Sequence, residues 1–139
     1  METVGLIEKV ELIGEKGKVE VAAVCDTGAR MTSIDTNLAK SIGIDPVTKA
    51  IGTTKVKNPS VPTEFERKVV EIELILKGKK FKCHANLQDR SHMTCKMLIG
   101  RNVLFKNFIV DVSKSHYDYE LKSVKDPKLK LLLKRTPNK

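Results

Sequence analysis

Alternating hydrophobic and polar positions recur along most of the chain and predict short β-strands. Residues 4–13 and 18–25 are rich in β-branched and aliphatic side chains, and the Gly-containing segment 14–17 between them is typical of a turn. Residues 69–87 repeat this arrangement around a Gly-Lys turn. The sequence therefore predicts two β-hairpins. After Glu20 the second strand becomes wholly apolar, which indicates that its far end is buried.

The remaining segments predict shorter elements. Residues 31–35 favour a short strand, and residues 36–43 begin with Thr and end with Gly, which favours a short helix. Residues 96–112 hold an apolar strand that ends at Gly100, then a helical turn and a last strand. The Pro-containing segment 45–68 predicts a long loop or a loose hairpin, and such loops often cover a site as a flap. The sum is a mainly β domain with one or two short helices, arranged as a small barrel or sandwich.

The composition indicates that this β fold is a single domain with an aliphatic core. The chain has 139 residues, too few for two lobes of ordinary size, and its aromatic content is only 4% with no Trp. No apolar run approaches the roughly 18–20 residues that span a bilayer. The first residues lack the pattern of a signal peptide, so we expect a cytoplasmic protein without membrane contact. The cysteines number three, and this odd count favours reduced thiols.

The charge balance is basic, with a formal net charge of +9. Part of this charge lies in residues 116–139, which we interpret as a basic C-terminal tail beyond a domain of residues 1–115. A basic surplus favours acidic partners such as nucleic acid, anionic lipid or acidic peptide, or simply a solvated tail. The tail has little aromatic interleaving and no nucleic-acid-binding motif, so nucleic acid is not the expected partner.

A carboxylate at the end of the second strand is the candidate catalytic group. Asp26 follows the apolar run and precedes Thr27 and Gly28. Aspartic proteases use two carboxylates that share a proton: one activates a water as general base, and the other protonates the carbonyl as general acid. A Thr can lock such a loop by a hydrogen bond, and a Gly lets the backbone approach the carboxylate. An Asp in a Gly-containing turn is also a common turn former, so the tripeptide alone leaves both interpretations open.

A second segment carries a family resemblance. "KMLIGRNVL" (96–104) resembles the segment of retroviral proteases in which an apolar strand crosses behind the active-site loop and a helix begins at Gly-Arg-Asn. With "CDTGARMTSID" (25–35), Asp89-Arg90-Ser91-His92-Met93 and Phe108-Ile109-Val110-Asp111, the chain resembles the retropepsin-like family often described as ATP-dependent zinc proteases. The resemblance covers roughly residues 5–115. It implies a small closed β-barrel of the retropepsin type and an aspartic endopeptidase without a cofactor.

The resemblance also implies roles for individual residues. Asp26, Thr27 and Gly28 take catalytic positions, Ala29 and Arg30 take substrate-binding positions, and Gly100, Arg101 and Asn102 support the site. None of the other Asp residues is followed by Thr-Gly or Ser-Gly, so the chain supplies one half-site. The family pattern then implies a homodimer in which each protomer contributes one Asp26, with the terminal strands as candidates for the dimer sheet.

Arg30 departs from the retroviral pattern. Retroviral proteases usually carry an acidic residue at this position, where it pairs with the Arg of Gly-Arg-Asn, and two arginines cannot form that pair. One interpretation is that Asp35, Asp89 or Asp111 pairs with Arg101 instead. The other is that Arg30 faces the cleft and binds substrate carboxylates, which a guanidinium contacts in bidentate fashion. The second interpretation, with the net charge of +9, makes acidic peptides the preferred substrate class.

Two further interpretations compete with this one. Cys83, His84, His92 and Cys95 have zinc-ligand side chains, but Cys83 and His84 are strand neighbours that point to opposite faces, so no metal site is predicted. The other alternative is a non-catalytic peptide-binding module on a retropepsin-like barrel, because a fold does not fix a function.

Overall fold

The computed structural model describes residues 1–56 and 65–115. Nine strands and three short helices lie in these two ranges. The strands are β1 (Glu2–Gly5), β2 (Ile7–Gly14), β3 (Gly17–Cys25), β4 (Thr32–Asp35), β5 (Gly52–Val56), β6 (Phe65–Leu76), β7 (Lys79–Gln88), β8 (Met97–Ile99) and β9 (Phe108–Asp111). The helices are α1 (Thr36–Ser41), α2 (Pro46–Lys49) and α3 (Arg101–Leu104). The tail predicted for residues 116–139 lies outside the described residues.

Six of the strands close into a barrel. The order of pairing is β2-β3-β8-β4-β7-β6, and β6 pairs again with β2, which completes the ring. The pairs β3–β8 and β4–β7 are parallel, whereas the other neighbours in the ring are antiparallel. Closure removes the open edges that a flat sheet of this size would expose. The prediction of a mainly β fold built on a small closed barrel is confirmed.

The barrel encloses an aliphatic core. Its largest fully buried side chains are mostly Leu, Ile and Val, with Met97 among them: Leu12, Ile34, Ile72, Leu74, Leu76, Met97, Ile99, Val4, Val10, Val70 and Val103. Aromatic rings contribute at one end, where the centroids of Phe81 and Phe108 lie 5.7 Å apart. Burial of these apolar side chains is the main favourable term in folding. The aliphatic core expected from the low aromatic content is therefore present.

Both predicted hairpins form, with small shifts in their bounds. β2 and β3 pair from Ile7↔Val24 to Gly14↔Gly17, and β6 and β7 pair from Val69↔Asn86 to Leu76↔Lys79. The second turn consists of Lys77 and Gly78, not Gly78 and Lys79. Both turn residues have positive φ, at 53° and 74°, as a two-residue turn that matches strand twist requires.

The first predicted strand is two strands in the structure. β1 ends at Gly5 and pairs in parallel with β9, whereas β2 starts at Ile7 and belongs to the barrel. Two hydrogen bonds fix the break: the Leu6 N–H donates to the Lys114 carbonyl at 2.6 Å, and the Gly5 N–H donates to Glu8 Oε2 at 2.7 Å. Alternation alone does not reveal this break, because hydrophobic character continues through it.

The helices and the flap segment lie close to their predicted positions. α1 occupies most of the helix predicted over 36–43, and its first turn is capped by Asp35, whose Oδ2 accepts from the Leu38 N–H. α3 is the helical turn expected after Gly100. The segment 45–68 contains α2 and a hairpin of β5 and β6, which pair from Gly52↔Val69 to Val56↔Phe65. Residues 57–64, which connect the two strands in the sequence, lie outside the described residues. In the part of the chain described, no helix is long and apolar enough to cross a membrane.

Candidate active site

Asp26 lies where two parallel strands end side by side. β3 ends at Cys25 and β8 at Ile99, and these two residues are partners in the β3–β8 register. Because the strands are parallel, the loops that follow them leave the same edge of the barrel. The Asp26 N–H donates to the Ile99 carbonyl at 2.9 Å, so the first residue of the loop is still tied to β8. Strand pairing therefore brings the Asp26 loop next to the Gly100 segment.

The Asp26 carboxylate is held by its own loop. Its Oδ1 accepts a hydrogen bond from the Gly28 N–H at 2.9 Å, and the Ala29 N–H donates to the Asp26 carbonyl at 3.3 Å. A side chain at position 28 would place its Cβ 3.3 Å from Asp26 Oδ1, a closer contact than most Cβ atoms accept. Asp26 is half-buried, while Thr27 and Gly28 are exposed. Glycine thus allows the backbone to donate to the carboxylate while the carboxylate stays accessible.

Asn102 joins this loop to the segment after β8. Its Oδ1 accepts from both the N–H and the Oγ1 hydroxyl of Thr32, each at 2.9 Å. Its Nδ2 donates to the His84 carbonyl at 2.7 Å. Thr32 is fully buried, and its Oγ1 also accepts from the Gly100 N–H at 3.2 Å. Asn102 therefore connects β4, β7 and α3 through one side chain.

Gly100 and Arg101 complete the support through their backbones. The Arg101 N–H donates to the Ala29 carbonyl at 2.8 Å. A Cβ at Gly100 would lie 2.5 Å from the Met31 carbonyl carbon, so no other residue fits there without a backbone shift. The structure thus brings together the loop predicted from Asp26 to Arg30 and the segment predicted from Gly100 to Asn102. Thr32, which contributes three of the hydrogen bonds, was missed by sequence reasoning because a Thr in a short strand carries no distinctive signal.

Neither arginine of the altered retroviral pair has a carboxylate partner within the described ranges. The side chains of Arg30 and Arg101 are both exposed. Asp35 instead caps α1 and accepts the Arg90 N–H at 2.8 Å, while Asp89 and Asp111 accept the N–H groups of Ser91 and Ser113. Hydrogen bonds from these serines lower the pKa of Asp89 and of Asp111. The three carboxylates considered as partners of Arg101 are therefore engaged elsewhere.

The cysteines near the site are thiols in hydrophobic surroundings. Burial raises the pKa of the Cys25 thiol to about 12, and the nearby charge of Glu8 acts in the same direction. Burial also raises the pKa of Cys83 to about 11. Cys83 is half-buried whereas His84 is exposed, as expected for strand neighbours on opposite faces. Within the described ranges, no group of three His, Cys, Asp or Glu side chains is placed to hold a metal ion.

Two arginines near the site were not singled out from the sequence. Arg90 is 5% exposed, and Asp26 is among the charged groups close enough to influence its pKa, which burial lowers. Burial also lowers the pKa of Arg67 on β6. The only sequence signal was the position of Arg90 in the Asp-Arg-Ser stretch of the family resemblance. Among the described residues no second carboxyl group is hydrogen-bonded to Asp26, so this site presents a single acid.

Comparisons with known proteins agree with this architecture. A family model described as "RimB-like: Retropepsin-like aspartic endopeptidase RimB" matches residues 44–120, a stretch that includes Gly100–Asn102 and begins after the Asp26 loop. A Legionella pneumophila protein of unknown function is similar in structure, with 23% identity, a TM-score of 0.54, and coverage of 82% of this chain and 95% of that one. The simian foamy virus protease is similar at 16% identity and a TM-score of 0.50, covering 69% and 88% of the two chains. A retropepsin-like aspartic protease from Rickettsia conorii shares 22% identity, with a TM-score of 0.49 and coverage of 76% and 75%. A comparison with curated proteins found no match.

Proposed function

The chain belongs to the RimB-like family of retropepsin-like aspartic endopeptidases, and from this premise we propose that it hydrolyses peptide bonds as a homodimer with one Asp26 from each protomer. The observation that carries the proposal is the half-buried Asp26 carboxylate, held by the Gly28 N–H at the edge of the barrel. Its support by Gly100 and Asn102 is of the kind that keeps a reacting group in one position. Each protomer supplies half of the catalytic pair.

The proposed mechanism needs only the two carboxylates and a water. Two carboxylates about 3 Å apart cannot both ionise, so the pair retains one proton. The ionised member takes a proton from the water as the water attacks the peptide carbonyl, and the protonated member donates its proton to the carbonyl oxygen. The Gly28 N–H, bonded to Oδ1, fixes the plane of each carboxylate. Neither ATP nor zinc enters this reaction.

The terminal sheet is the surface we assign to the dimer. β1 and β9 form a two-stranded parallel sheet apart from the barrel. Three exposed apolar side chains lie on or beside it: Met1 at 78% exposure, Ile109 at 52% and Val112 at 72%. A second copy would remove this apolar area from water, which favours association. A contact of this kind would use the same surface of both protomers, as two-fold symmetry requires.

We propose acidic peptides as the substrate class. Arg30 follows the catalytic loop directly, is exposed, and has no carboxylate partner among the described residues. A guanidinium in this position suits a substrate carboxylate, and the net charge of +9 attracts acidic chains over a longer distance. The hairpin of β5 and β6 is our candidate for the flap that covers the bound peptide. Cys25, Cys83 and Cys95 are reduced cysteines, which is compatible with the cytoplasm as the place of action.

A non-catalytic peptide-binding module is the second candidate function. The observation that favours it is that the family match begins at residue 44 and so does not include the Asp26 loop. A module of this kind would bind peptides in the same cleft without cleaving them. The two candidates differ in one outcome, the dependence of hydrolysis on Asp26.

The test compares the wild-type protein with Asp26→Asn. Asn keeps an Oδ1 acceptor for the Gly28 N–H, so the loop is expected to hold its shape while the acid–base function is lost. Both proteins are incubated with glutamate-rich and neutral peptides between about pH 4 and pH 8, and the products are identified by mass spectrometry. We expect cleavage by the wild type only, with a loss on the order of a thousandfold or more in the variant.

Each other outcome has a definite meaning. Equal cleavage by both proteins would assign the activity to another group and contradict the role of Asp26. No cleavage of any peptide by the dimeric wild-type protein would favour the peptide-binding module. A melting temperature of Asp26→Asn close to that of the wild type is the control for folding.

A further inference from the structure

Asp26 lies on the outer face of the barrel strands. Side chains alternate along a strand, so Asp26 continues the face of Val24 and not that of Cys25. Val24 is the register partner of Leu98, and Leu98 is the partner of Ser33 on β4. Partners in register share a face, and the face therefore runs from Asp26 across β8 to β4.

The same face continues onto the hairpin strands. Ser33 is the register partner of Asn86 on β7, and its Oγ donates to Asn86 Oδ1 at 2.8 Å. Asn86 is in turn the partner of Val69 on β6, and Arg67 lies two residues from Val69 on that side. Ser33 and Asn86 are both almost fully buried, at 1% and 7% exposure. The strip traced here thus holds a buried polar pair, Ser33 and Asn86, between the apolar side chains of Leu98 and Val69.

Arg67 lies at the β6 end of this strip, and most of its N–H donors have no close acceptor among the described residues. Its NH1 group donates to Asn86 Oδ1 at 3.5 Å, a long contact, and its guanidinium carbon lies 5.5 Å from the centre of the Phe65 ring. Its Nε–H is buried and has no acceptor among the described residues. A buried donor without an acceptor costs roughly 1–3 kcal/mol, more when it is charged, and native proteins seldom accept this cost without a reason.

Arg90 adds a second cation at the same place. Its side chain is 5% exposed and its Nε donates to the Cys95 carbonyl at 3.0 Å, which leaves both terminal amino groups without an acceptor among the described residues. Arg67 and Asp26 are both close enough to influence the pKa of Arg90, and Arg67 lowers it as a like charge would. Neither arginine forms an ion pair with a described carboxylate, and the basic partners in the ion pairs between described residues are lysines. Arg90 is thus partly desolvated, with Arg67 as a like charge and with Asp26 and Asp35 as the nearby carboxylates that act on it without forming an ion pair.

We propose that Arg67 and Arg90 together bind one side-chain carboxylate of the substrate, in a subsite whose floor is the hydrogen-bonded pair Ser33–Asn86. This inference rests on the proposed function only in placing a peptide in the Asp26 cleft. A carboxylate accepts from the Nε–H and terminal N–H of a guanidinium in a bidentate pair, and it neutralises the repulsion between two cations. The subsite is separate from Arg30, which lies on the loop itself. In a homodimer it occurs twice, once on each side of the scissile bond.

The experiment measures peptide binding to the Asp26→Asn protein, in which hydrolysis does not interfere. The probes are a short glutamate peptide and the set in which each glutamate in turn is replaced by glutamine. The variants are Arg67→Met and the matched control Lys68→Met, which removes the same charge from the neighbouring, exposed position on the other face of β6. Affinities are measured by calorimetry, together with the NMR resonance of the Arg67 Nε–H group. Thermal unfolding of each variant shows whether the fold is retained.

We expect the Asp26→Asn protein to lose about 10–100-fold in affinity when glutamine replaces glutamate at one position, or at one position on each side of the scissile bond. In Arg67→Met this penalty disappears, because the partner of the carboxylate is gone. Lys68→Met retains it and changes all affinities by a small, salt-dependent factor. The Arg67 Nε–H resonance shifts on addition of the glutamate peptide. Arg90→Lys, which keeps the charge but not the fork of donors, reduces the penalty.

Several results would overturn the proposal. One is an Arg67→Met protein that keeps the full glutamate-to-glutamine penalty at every position, and another is binding of neither peptide. A uniform loss with both Arg67→Met and Lys68→Met would show charge attraction without a subsite. Failure of the proposed hydrolysis is a different result, because it leaves the binding of the glutamate peptide to Asp26→Asn, and its dependence on Arg67, unchanged.

Discussion

The strands around Asp26 have an inner and an outer face, and the two faces differ in how many of their side chains find partners within one chain. On the inner face Ile34, Met97 and Ile99 are completely buried against one another and the rest of the core. On the outer face, within residues 1–56 and 65–115, Asp26 has no second acid bonded to it and the buried Nε–H of Arg67 has no acceptor. The side chains of the inner face pack completely within one protomer. The outer face carries charged groups whose proposed partners lie outside the protomer, and we assign these partners to a second protomer and to a substrate.

Cys25 provides the most sensitive probe of this difference, because it adjoins Asp26 and faces the core. The pKa of its thiol is raised to about 12 from an ordinary 9.0, mainly by burial. Each pKa unit is a factor of ten in the ionisation equilibrium, so at pH 8 the native protein holds on the order of a thousandfold less Cys25 thiolate. We expect iodoacetamide to modify Cys25 only at the rate of unfolding, as measured by peptide mass spectrometry, with urea-unfolded protein as the control. The raised pKa also implies that this thiol contributes stability below about pH 9, which is lost as the pH rises towards 12. Labelling of native Cys25 at the rate seen in urea would contradict a closed inner face.

Substitutions at two neighbouring positions on β4 compare how much each face contributes to the free energy of unfolding. Ile34→Ala removes a fully buried core side chain and is expected to cost about 3 kcal/mol of the free energy of unfolding, within a usual range of roughly 2–5 kcal/mol. Ser33→Ala removes one hydrogen bond to Asn86 and is expected to cost about 1 kcal/mol. Urea denaturation of both variants gives the comparison. Equal costs at the two positions would mean that the outer face contributes to stability as much as the core.

The sequence predicted those parts of the fold that depend on neighbouring residues. Alternation and turn residues predicted both hairpins, and the apolar run that ends at Cys25 predicted Asp26 at a strand end. The closure of the ring could not be predicted in this way, because the β2–β6 and β3–β8 pairs join strands far apart in the sequence.

The same limit explains which site residues were missed. The Asp26 and Gly100 segments were predicted because each is a compact motif in the sequence. The place of Arg67 beside Asn86 depends instead on the register of β6 against β7, which no short motif encodes. For the same reason, sequence alone left open the partner of Arg101, and the structure shows Asp35, Asp89 and Asp111 bonded to other groups.

A smaller effect than that of Ile34→Ala is expected at Asn102, which links β4 and β7 to α3. Asn102→Ala leaves the N–H and hydroxyl of the buried Thr32 without their acceptor and frees the His84 carbonyl. We expect a loss of about 2 kcal/mol in the free energy of unfolding, since unsatisfied buried donors cost roughly 1–3 kcal/mol each but the exposed position of Asn102 admits water to part of the gap. Asn102→Asp is the matched variant, because it keeps the acceptor for Thr32 and loses only the donor to His84. It is expected to cost about half as much.

Hydrogen exchange distinguishes a specific role of Asn102 from general destabilisation. If Asn102 holds the Asp26 loop to the barrel, the Thr32 amide exchanges much faster in Asn102→Ala. The exchange rates of amides in the core strands then change only as far as the global stability changes. Asn102→Asp keeps the Thr32 amide protected. Exchange that rises equally at Thr32 and in the β6–β7 pair would show that Asn102 stabilises the barrel as a whole. Thr32 directly follows the Asp26 loop and shares the inner face with Ile34, so local exchange would mean that the start of β4 can open while the rest of the barrel stays closed.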